Sequence, residues 1–275
     1  MGSIEEAQLT EIRSQFPVDW EVPEFRIDFW DGKTCDYCVI IPVINEGERI
    51  REFVQRLKEN RIDSIADIII VDGGSTDGSL DFAFLRSHGV KGLLTKIGPG
   101  KLSSQLRVGY SFGLICRFHG LVTIDGNNKD DPSAIPDFIR LLLKGYDFVQ
   151  ASRFIKGGLH RNTPPSRYIA IRLVHAPILS FFSGFRWTDT TQGFRAYSER
   201  CLSDHKVKPF RDIFSEYELL AYLSYRIPKI KYRCIEQPVS RIYPKGKVPT
   251  KISPLRGNLR LVNTLLKACV GRFNP

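Results

Sequence analysis

The stretch Asp67-Ile-Ile-Ile-Val-Asp-Gly-Gly-Ser-Thr-Asp-Gly-Ser79 decides the fold of this 275-residue chain. Its first half is a continuous apolar run that ends at Asp72, which is typical of a strand buried on both faces. Its second half consists of turn-forming residues. A similar apolar run occupies residues 38–43, and residues 47–58 between the two have helical periodicity. Strands that alternate with helices predict βαβ units and a parallel sheet.

The same alternation continues along the chain. Further strands are predicted at 92–95, 121–125 and 147–151, and further helices at 80–87, 102–118 and 135–144. We therefore predict an α/β fold in which helices flank a mostly parallel sheet, built as one domain over residues 37–250. Residues 1–36 are predicted to form an N-terminal arm outside the central sheet, and residues 251–275 a C-terminal helical extension.

The composition restricts the class of partner. The chain has a net charge of +10 and is 42% hydrophobic, as expected of a globular protein with an anionic partner. Nucleotide phosphates and anionic lipid both qualify, whereas nucleic acid is not predicted because no recognised binding motif occurs. The acidic start does not resemble a secretory signal, and no apolar run reaches the roughly 18–20 residues of a membrane span. The predicted location is the cytoplasm, or the cytosolic face of a membrane.

Polar residues and glycines collect where the predicted strands end. In open parallel sheets, ligands bind beyond the carboxyl ends of the strands. Asp72 at such an end can accept hydrogen bonds from a nucleotide base, and the glycines after it let the backbone approach a ligand. A plain turn between strand and helix remains the alternative for this stretch.

Residues 40–46 followed by 69–78 resemble the opening of family 2 glycosyltransferases, which have the Rossmann-like GT-A fold. Residues 98–109 are similar to the loop and helix that lie near the donor phosphates in that family. At Gly73 the chain departs from the family, which usually has a second acidic residue there. The resemblance implies a pocket for a nucleotide-diphosphate sugar, lined by Pro42, Asn45, Glu46, Asp72, Gly74, Lys101 and Gln105.

Residues 124–132 occupy the place of the family's D-x-D motif, which holds a divalent cation together with the donor diphosphate. The resemblance implies Mg²⁺ or Mn²⁺ at Asp125 and Asn127, with Gly126 between them against the donor. The chain departs from the motif because Asn127 replaces the second acid. It departs again at Lys129, where related lipid-directed enzymes often have a glutamine ligand.

Two interpretations of this segment stay open. In the first, Asp125 holds the cation with help from Asp130 or Asp131. In the second, Lys129 substitutes for part of the charge of the metal.

Residues 150–154 and 189–197 resemble the polyprenyl- and dolichyl-phosphate sugar synthases more closely than the family at large. The resemblance implies an acceptor site at Arg153, Asp189, Gln192 and Arg195. A guanidinium such as that of Arg153 matches two phosphate oxygens at once. For Arg195, a contact with substrate and a structural pairing with Asp189 remain equal alternatives.

The stretch 164–185 mixes basic and apolar residues. It predicts either an amphipathic helix at a membrane surface or lipid groove, or an ordinary core helix. In either case we expect Pro177 to interrupt it.

Two later segments complete the resemblance. Residues 239–247 are similar to an R-x-Y-x-x-x-K element, which implies that Arg241 and Lys247 clasp the donor diphosphate. Residues 214–220 resemble a helix with an acidic residue that faces the sugar, so Glu216 or Glu218 would be the general base for a hydroxyl acceptor. A phosphate acceptor would need no such base.

The sequence therefore predicts an inverting glycosyltransferase that moves a hexose from a GDP- or UDP-linked sugar to a polyprenyl-phosphate-type acceptor at a membrane surface. Its predicted catalytic residues are Asp125, Arg153, Glu216 and Glu218. One alternative is transfer to a sugar hydroxyl of a polysaccharide or glycan, with Glu216 or Glu218 as base. A second is a non-catalytic scaffold that binds nucleotide sugars.

Overall fold

The protein is represented by a computed structural model that describes residue 12, residues 14–244 and residues 256–275. In this part of the chain an eight-stranded sheet has the strand order β1-β4-β3-β2-β5-β8-β6-β9, and β7 and β10 form a separate parallel pair. The strands are β1 (Phe25–Trp30), β2 (Tyr37–Val43), β3 (Asp67–Asp72), β4 (Val90–Lys96), β5 (Gly120–Thr123), β6 (Phe148–Ser152), β7 (Leu159–Arg161), β8 (Arg195–Ser198), β9 (Cys234–Pro238) and β10 (Ser240–Ile242).

Helices cover both faces of the large sheet. They are α1 (Glu48–Glu59), α2 (Phe82–Ser87), α3 (Leu102–Ile115), α4 (Ile135–Leu143), α5 (Pro165–Ile169), α6 (Ala176–Ser183), α7 (Glu199–Leu202), α8 (Glu218–Lys229) and α9 (Arg256–Cys269). Short 3-10 turns lie at Ile62–Ser64 and Pro132–Ala134, and a π-helical segment at Ala170–His175 joins α5 to α6. The predicted α/β fold with a mostly parallel sheet is confirmed, since only β1 and β8 run antiparallel to their described neighbours in it.

The buried strands divide the hydrophobic core into two layers. Because side chains alternate along a strand, Ile40 and Ile69 pack with α3 on one face, while Ile41 and Ile70 pack with α1 and α4 on the other. Helix α3 approaches the sheet closely at Gly109, where a Cβ would lie 2.5 Å from Cγ2 of Ile40. This close packing fixes α3, and with it the polar residues of its first turns, against the strand ends.

The N-terminal arm was predicted to lie outside the central sheet, and this is wrong for residues 25–30. They form β1, the edge strand, which pairs antiparallel with β4. Phe25, Ile27 and Phe29 are buried and the residues between them are more exposed, which is the period-two pattern of an edge strand. The prolines before this stretch favoured an irregular arm, but both lie upstream of the paired residues.

The expectation that Pro177 interrupts its helix is also wrong. The chain stays helical from Pro165 to Ser183, and the hydrogen-bond register widens to the π form just before Pro177. A π segment relieves the missing amide of a proline without breaking the helix. At the C-terminus, α9 packs on α8 and α6. Within the described residues, no helix combines the length and the apolar character that crossing a bilayer would require.

Candidate active site

A cavity of about 580 Å³ opens at the carboxyl ends of β2, β3 and β5; we call it the larger cavity. Its walls come from those strand ends, from the first turns of α3, and from β10. Eight of the residues that the sequence assigns to the donor line it: Pro42, Glu46, Lys101, Gln105, Asp125, Gly126, Asn127 and Arg241. The convergence of these distant segments follows from the parallel sheet, which brings the carboxyl ends of its strands to one edge.

Three other predicted donor residues, Asn45, Asp72 and Gly74, do not line the larger cavity. The Asp72 carboxylate accepts hydrogen bonds from the Ser75 amide at 2.8 Å and the Ser75 hydroxyl at 2.6 Å. The Asn45 amide in turn donates to the Ser75 hydroxyl at 2.9 Å, and Asn45 Oδ1 accepts from the Thr76 amide at 2.8 Å. These contacts join the two loops after β2 and β3, so Asp72 and Asn45 position the wall of the cavity.

Gln105 has a similar bracing role from inside the larger cavity. Its buried Nε2 donates to the carbonyl oxygens of Val43 at 2.8 Å and Val71 at 2.9 Å, at the ends of β2 and β3. A Cβ at Gly73 would lie 3.0 Å from the same nitrogen. A small residue at position 73 therefore leaves room for the glutamine, which accounts for the departure from the acidic residue that the family resemblance implied.

The larger cavity is strongly basic. Among the described residues its lining carries two carboxylates, Glu46 and Asp125, and six cationic side chains: Arg49, Lys96, Lys101, Lys129, Arg167 and Arg241. Glu46 already accepts a hydrogen bond from Arg49 Nη2 at 2.7 Å. Such an excess of positive charge in a concave site favours a polyanionic ligand.

Asp125 and Arg241 form the centre of the site. Arg241 Nη2 lies 3.5 Å from Asp125 Oδ2, and Nη1 lies 2.5 Å from Oδ2 of the buried Asp130. Burial alone would lower the pKa of Arg241, but Asp130 and Asp125 outweigh it and raise that pKa, so the guanidinium is a permanent cation. Arg241 Nε is buried and has no hydrogen-bond partner among the described groups.

A second cavity of about 240 Å³, the smaller cavity, adjoins the larger one. The two share five lining residues: Leu102, Asp125, Arg167, Tyr217 and Arg241. The smaller cavity extends between the loop before β8, the segment Pro165–Ser183, α8 and α9. Ligands in the two cavities would therefore meet at Asp125 and Arg241.

The predicted acceptor residues Arg153, Gln192 and Arg195 line the smaller cavity, and Asp189 lies fully buried behind them. Arg153 pairs with Asp189 in bidentate fashion, Nε to Oδ2 at 2.7 Å and Nη2 to Oδ1 at 3.0 Å. Gln192 Nε2 donates to the same carboxylate at 2.8 Å, and Gln192 Oε1 has no described hydrogen-bond partner. Asp189 thus fixes two side chains that face the cavity.

Arg195 does not pair with Asp189. Its Nε donates to the Gln192 carbonyl at 2.9 Å, and its Nη1 and Nη2 donate to the carbonyls of Leu220 and Thr190 at 2.8 and 3.1 Å. Arg195 is only 1% exposed. Because all of its nitrogens donate to protein groups, Arg195 joins the loop before β8 to α8, and the structure favours a structural role over a direct contact with substrate.

Tyr243 brings three guanidinium groups together. Its hydroxyl accepts hydrogen bonds from Arg153 Nη1 and Arg167 Nη1, both at 3.2 Å, and the Arg241 guanidinium lies 5.5 Å from its ring centroid. Burial alone would raise the pKa of Tyr243, but Arg241, Arg153 and Arg167 outweigh it and lower that pKa. This cluster makes the junction of the cavities a site for an anion.

The predicted general bases do not line either cavity. Glu216 Oε1 lies 3.2 Å from Lys101 Nζ, and its Oε2 lies 2.9 Å from Arg260 Nη1. Glu218 Oε2 accepts a hydrogen bond from the Glu216 amide at 2.7 Å, at the start of α8. Glu216 thus joins the residues before α8 to Lys101 and Arg260, and Glu218 holds the backbone just before α8. The predicted Lys247 lies outside the described residues.

The acidic residues after β5 divide into two groups. Asp130 pairs with Arg241, and Asp131 Oδ1 accepts from the Ser133 amide at 3.1 Å and lies 3.3 Å from Arg56 Nη2. Neither Asp130 nor Asp131 lines either cavity, and arginine side chains pair with both, so their help in holding a cation stays a prediction that these contacts do not favour. Asp125 and Asn127 do line the larger cavity and fit Mg²⁺ or Mn²⁺, since these ions accept one or two protein oxygens together with phosphate and water. The described residues contain no cluster of three or more His, Cys, Asp or Glu side chains with metal-site geometry.

Comparison with known proteins finds similarity to glycosyltransferases. The model of the family described as Glycosyl transferase family 2 matches residues 38–94. Undecaprenyl-phosphate mannosyltransferase from Micrococcus luteus is 28% identical over 206 residues, which cover 73% of this chain and 81% of that protein. Dolichyl-phosphate hexose transferase from Haloferax volcanii is 25% identical over 240 residues, which cover 86% of this chain and 94% of that protein.

The chain is a glycosyltransferase, and its residues 38–94 match the family 2 model. Its fold is also that of a solved enzyme, glucosyl-3-phosphoglycerate synthase from Mycobacterium tuberculosis in complex with Mn²⁺, UDP-glucose and phosphoglyceric acid. The two chains superpose with a TM-score of 0.57 at 16% identity, over 85% of this chain and 79% of that one. At this identity the likeness shows the GT-A fold alone.

Several residues of this glycosyltransferase site were not assigned from the sequence. Arg49, Lys96 and Tyr217 line the larger cavity, and Arg167 and Tyr243 lie at the junction with the smaller one. Tyr243 lies two residues after Arg241 and is the tyrosine of the R-x-Y element, which was a signal for it. Arg167 lies in the basic and apolar stretch that was interpreted only for its membrane or core character.

Proposed function

We propose that the chain transfers a hexose, with inversion, from a nucleoside-diphosphate sugar to a polyprenyl phosphate. The observation that carries the proposal is the meeting of two cavities at Asp125 and Arg241. A donor in the larger cavity and an acceptor in the smaller one would present their reacting atoms to each other there. The two relatives reported above also support the proposal, because one is named for undecaprenyl phosphate and the other for dolichyl phosphate.

The donor side of the proposal rests on charge. A nucleoside diphosphate carries several negative charges, and the larger cavity offers six cationic side chains among its described lining residues. Asp125 and Asn127 would hold a divalent cation against the diphosphate, and the cation when bound would neutralise part of the charge on the leaving group. Arg241 is the protein group best suited to the same task, because it is permanently charged and its Nε has no described partner.

The acceptor side rests on the arginine and tyrosine cluster at the junction. Arg153, Arg167 and Tyr243 surround the entrance to the smaller cavity, and guanidinium groups bind phosphate oxygens strongly. A phosphate acceptor is already anionic and needs no general base, in agreement with the ion pairs that occupy Glu216. No observation favours a hydroxyl acceptor, since neither Glu216 nor Glu218 lines a cavity.

The proposed reaction is an in-line displacement at the anomeric carbon of the sugar. An oxygen of the acceptor phosphate forms the new bond to that carbon, while the bond from the carbon to the diphosphate oxygen breaks on the opposite side. The electron pair leaves with the nucleoside diphosphate, and Arg241 stabilises the charge that develops on it. One displacement inverts the configuration at the anomeric carbon.

The lipid part of the acceptor would leave the smaller cavity across an apolar surface. The inner wall on that side includes Leu179, Leu261 and Leu265. Further out, exposed apolar side chains lie on the segment Pro165–Ser183 and on α9 with the residue that follows it: Ile169, Leu173, Phe181, Leu266 and Val270. We call these five residues the apolar face. Arg172 and Lys267 lie on the same two segments, so the charge suits peripheral binding to the surface of an anionic membrane.

A phase-partition assay tests the proposal directly. The protein is incubated with a panel of labelled GDP- and UDP-sugars, a polyprenyl phosphate in detergent, and Mg²⁺ or Mn²⁺, and the mixture is extracted with organic solvent. We expect one donor to pass its label into the organic phase, with release of the nucleoside diphosphate in equal amount. Donor consumption with all of the label left in the aqueous phase would exclude the lipid acceptor, and no consumption of any donor would favour the non-catalytic scaffold.

A further inference from the structure

One positively charged side chain of the larger cavity, that of Lys129, has no individual role in the contacts described so far. Lys129 follows Asp125 and Asn127 at spacing two, in the position from which a third metal ligand would be expected. Its backbone is held on both sides: its amide donates to Asn127 Oδ1 at 3.3 Å, and its carbonyl accepts from the Ile242 amide at 2.9 Å. The Lys129 side chain is therefore anchored at the wall of the cavity.

The side chain of Lys129 is half-buried and lines the same cavity as Asp125, Asn127 and Arg241. Its Nζ lies 5.7 Å from the ring centroid of Tyr243, on the side of the site where the guanidinium groups meet. None of the described carboxylates lies within ion-pair distance of Lys129. An ammonium held in a cavity without a paired acid has its charge available for a ligand.

The potential metal site is correspondingly poor in anionic groups. Of the two residues assigned to it, Asp125 supplies a carboxylate and Asn127 an amide, and the carboxylate lies 3.5 Å from Arg241 Nη2 and 3.4 Å from Asn127 Nδ2. Asp130 is buried in its ion pair with Arg241, and Asp131 pairs with Arg56. A divalent cation at this point would have few protein oxygens and would lie near two positively charged side chains.

We propose that Lys129 is a built-in counter-charge for the donor diphosphate, which lets the nucleoside diphosphate bind almost as tightly without a divalent cation as with one. This inference rests on the proposed function, since it assumes that the larger cavity binds a nucleoside diphosphate. A lysine ammonium binds phosphate as a compact point charge, and its tether removes the need to recruit the charge from solution. Mg²⁺ or Mn²⁺ can still join the complex through Asp125 and Asn127, but it adds little to nucleotide affinity.

The test measures binding rather than turnover. The full-length protein is titrated by calorimetry with UDP and with GDP, first in buffer with EDTA and then in buffer with Mg²⁺ or Mn²⁺. For the wild type we expect the Kd of the preferred nucleotide to change by less than about threefold between the buffers. For Lys129→Gln we expect Kd in EDTA to rise about tenfold or more, equivalent to ~1.4 kcal/mol, and to recover when metal is added.

Two further variants isolate the charge. Lys129→Arg keeps a cation at this position and is expected to stay metal-independent. Lys144→Gln removes an exposed lysine at the end of α4 and is expected to match the wild type in both buffers. Electron paramagnetic resonance of Mn²⁺ gives an independent measurement: with nucleotide present, Mn²⁺ is expected to bind more tightly to Lys129→Gln than to the wild type.

The possible failures can be told apart. Loss of wild-type nucleotide binding in EDTA by more than about thirtyfold, with recovery in Mg²⁺, would overturn the inference and leave the proposed function standing. Equal nucleotide Kd values for Lys129→Gln and the wild type in EDTA would also overturn the inference and leave the proposed function standing. Absence of UDP and GDP binding in every buffer would overturn both.

Discussion

The two cavities of this glycosyltransferase are built in different ways. The larger cavity lies on strand ends whose loops are joined by Asp72, Asn45 and Gln105, all within the first 105 residues. The smaller cavity is assembled from the loop before β8, a helix with a π segment, and α9, which are distant in sequence. We therefore expect the donor side to be the more rigid one, because it rests largely on the sheet, whereas the acceptor side depends on packing between helices with an exposed apolar face. This difference suggests that nucleotide binding and acceptor binding can be altered separately, except where the cavities meet.

The largest effect is expected at the meeting point. Asp125→Asn removes the carboxylate that lines both cavities, and we expect kcat to fall by about 100-fold or more, since loss of one charge-stabilising group in an active site costs about that much. Initial rates in the phase-partition assay measure it. Asp131→Asn is the control, because Asp131 caps the turn at Pro132–Ala134 and lines neither cavity. Near wild-type turnover by Asp125→Asn would contradict the view that the two sides meet at this residue.

A smaller effect is expected at Gly193, where the loop before β8 lies close to Asp125. A Cβ at Gly193 would collide with Asp125 Oδ1, so Gly193→Ala must displace the carboxylate or the loop. We expect kcat/KM to fall about tenfold while the melting temperature changes little, because displacement of catalytic groups by a fraction of an ångström is costly. Gly98→Ala is the control, since its Cβ would meet no atom nearer than 3.5 Å. If Gly193→Ala and Gly98→Ala are equally active, the close approach does not position Asp125.

The apolar face should affect the acceptor side alone. Leu173→Glu places a charge on the proposed membrane contact, and we expect about tenfold weaker binding to vesicles that contain anionic phospholipid and polyprenyl phosphate, since burial of one leucine contributes about 1.5–3 kcal/mol. Transfer to a short-chain, water-soluble polyprenyl phosphate should be unchanged. Leu143→Glu is a matched control, because Leu143 on α4 is 69% exposed and Leu173 is 71% exposed. Equal loss of vesicle binding in both variants would count against a specific face.

The contrast between the two sides also explains what the sequence could predict. The buried strands β2 and β3 and their polar ends are local patterns, so the fold was predicted from them, and the family resemblance added eight of the 18 described residues that line the larger cavity. Arg167 and Tyr243 meet through a hydrogen bond across 76 residues, a contact that no local pattern contains. Asp72 was predicted to line the cavity. It lies beside the cavity instead, because its carboxylate accepts a hydrogen bond from the Ser75 hydroxyl in the turn after β3. Residues 25–30 have the period-two alternation of a strand, but the prolines upstream of them favoured an irregular arm.

The smallest effect concerns pH, and it too should be confined to the acceptor side. His175 lies in the π segment and lines the smaller cavity, and burial lowers its pKa from the usual value of about 6.5. Because the folded state favours the neutral ring, the unfolded chain binds more protons near and below pH 6.5. The contribution of His175 to stability is therefore fully present above pH 6.5 and is lost as pH falls through that value toward the folded pKa.

Hydrogen exchange resolves where this loss occurs. Between pH 8 and pH 5.5, after correction for intrinsic exchange rates, we expect protection to decrease in peptides that cover Pro165–Ser183 and to remain in peptides that cover β2 and β3. His175→Gln should remove most of the decrease and should reduce the pH-dependent change in melting temperature by about 2 °C. An equal loss of protection in β2 and β3 would mean that acid destabilises the molecule as one unit, and the separation of a rigid donor side from a softer acceptor side would have to be abandoned.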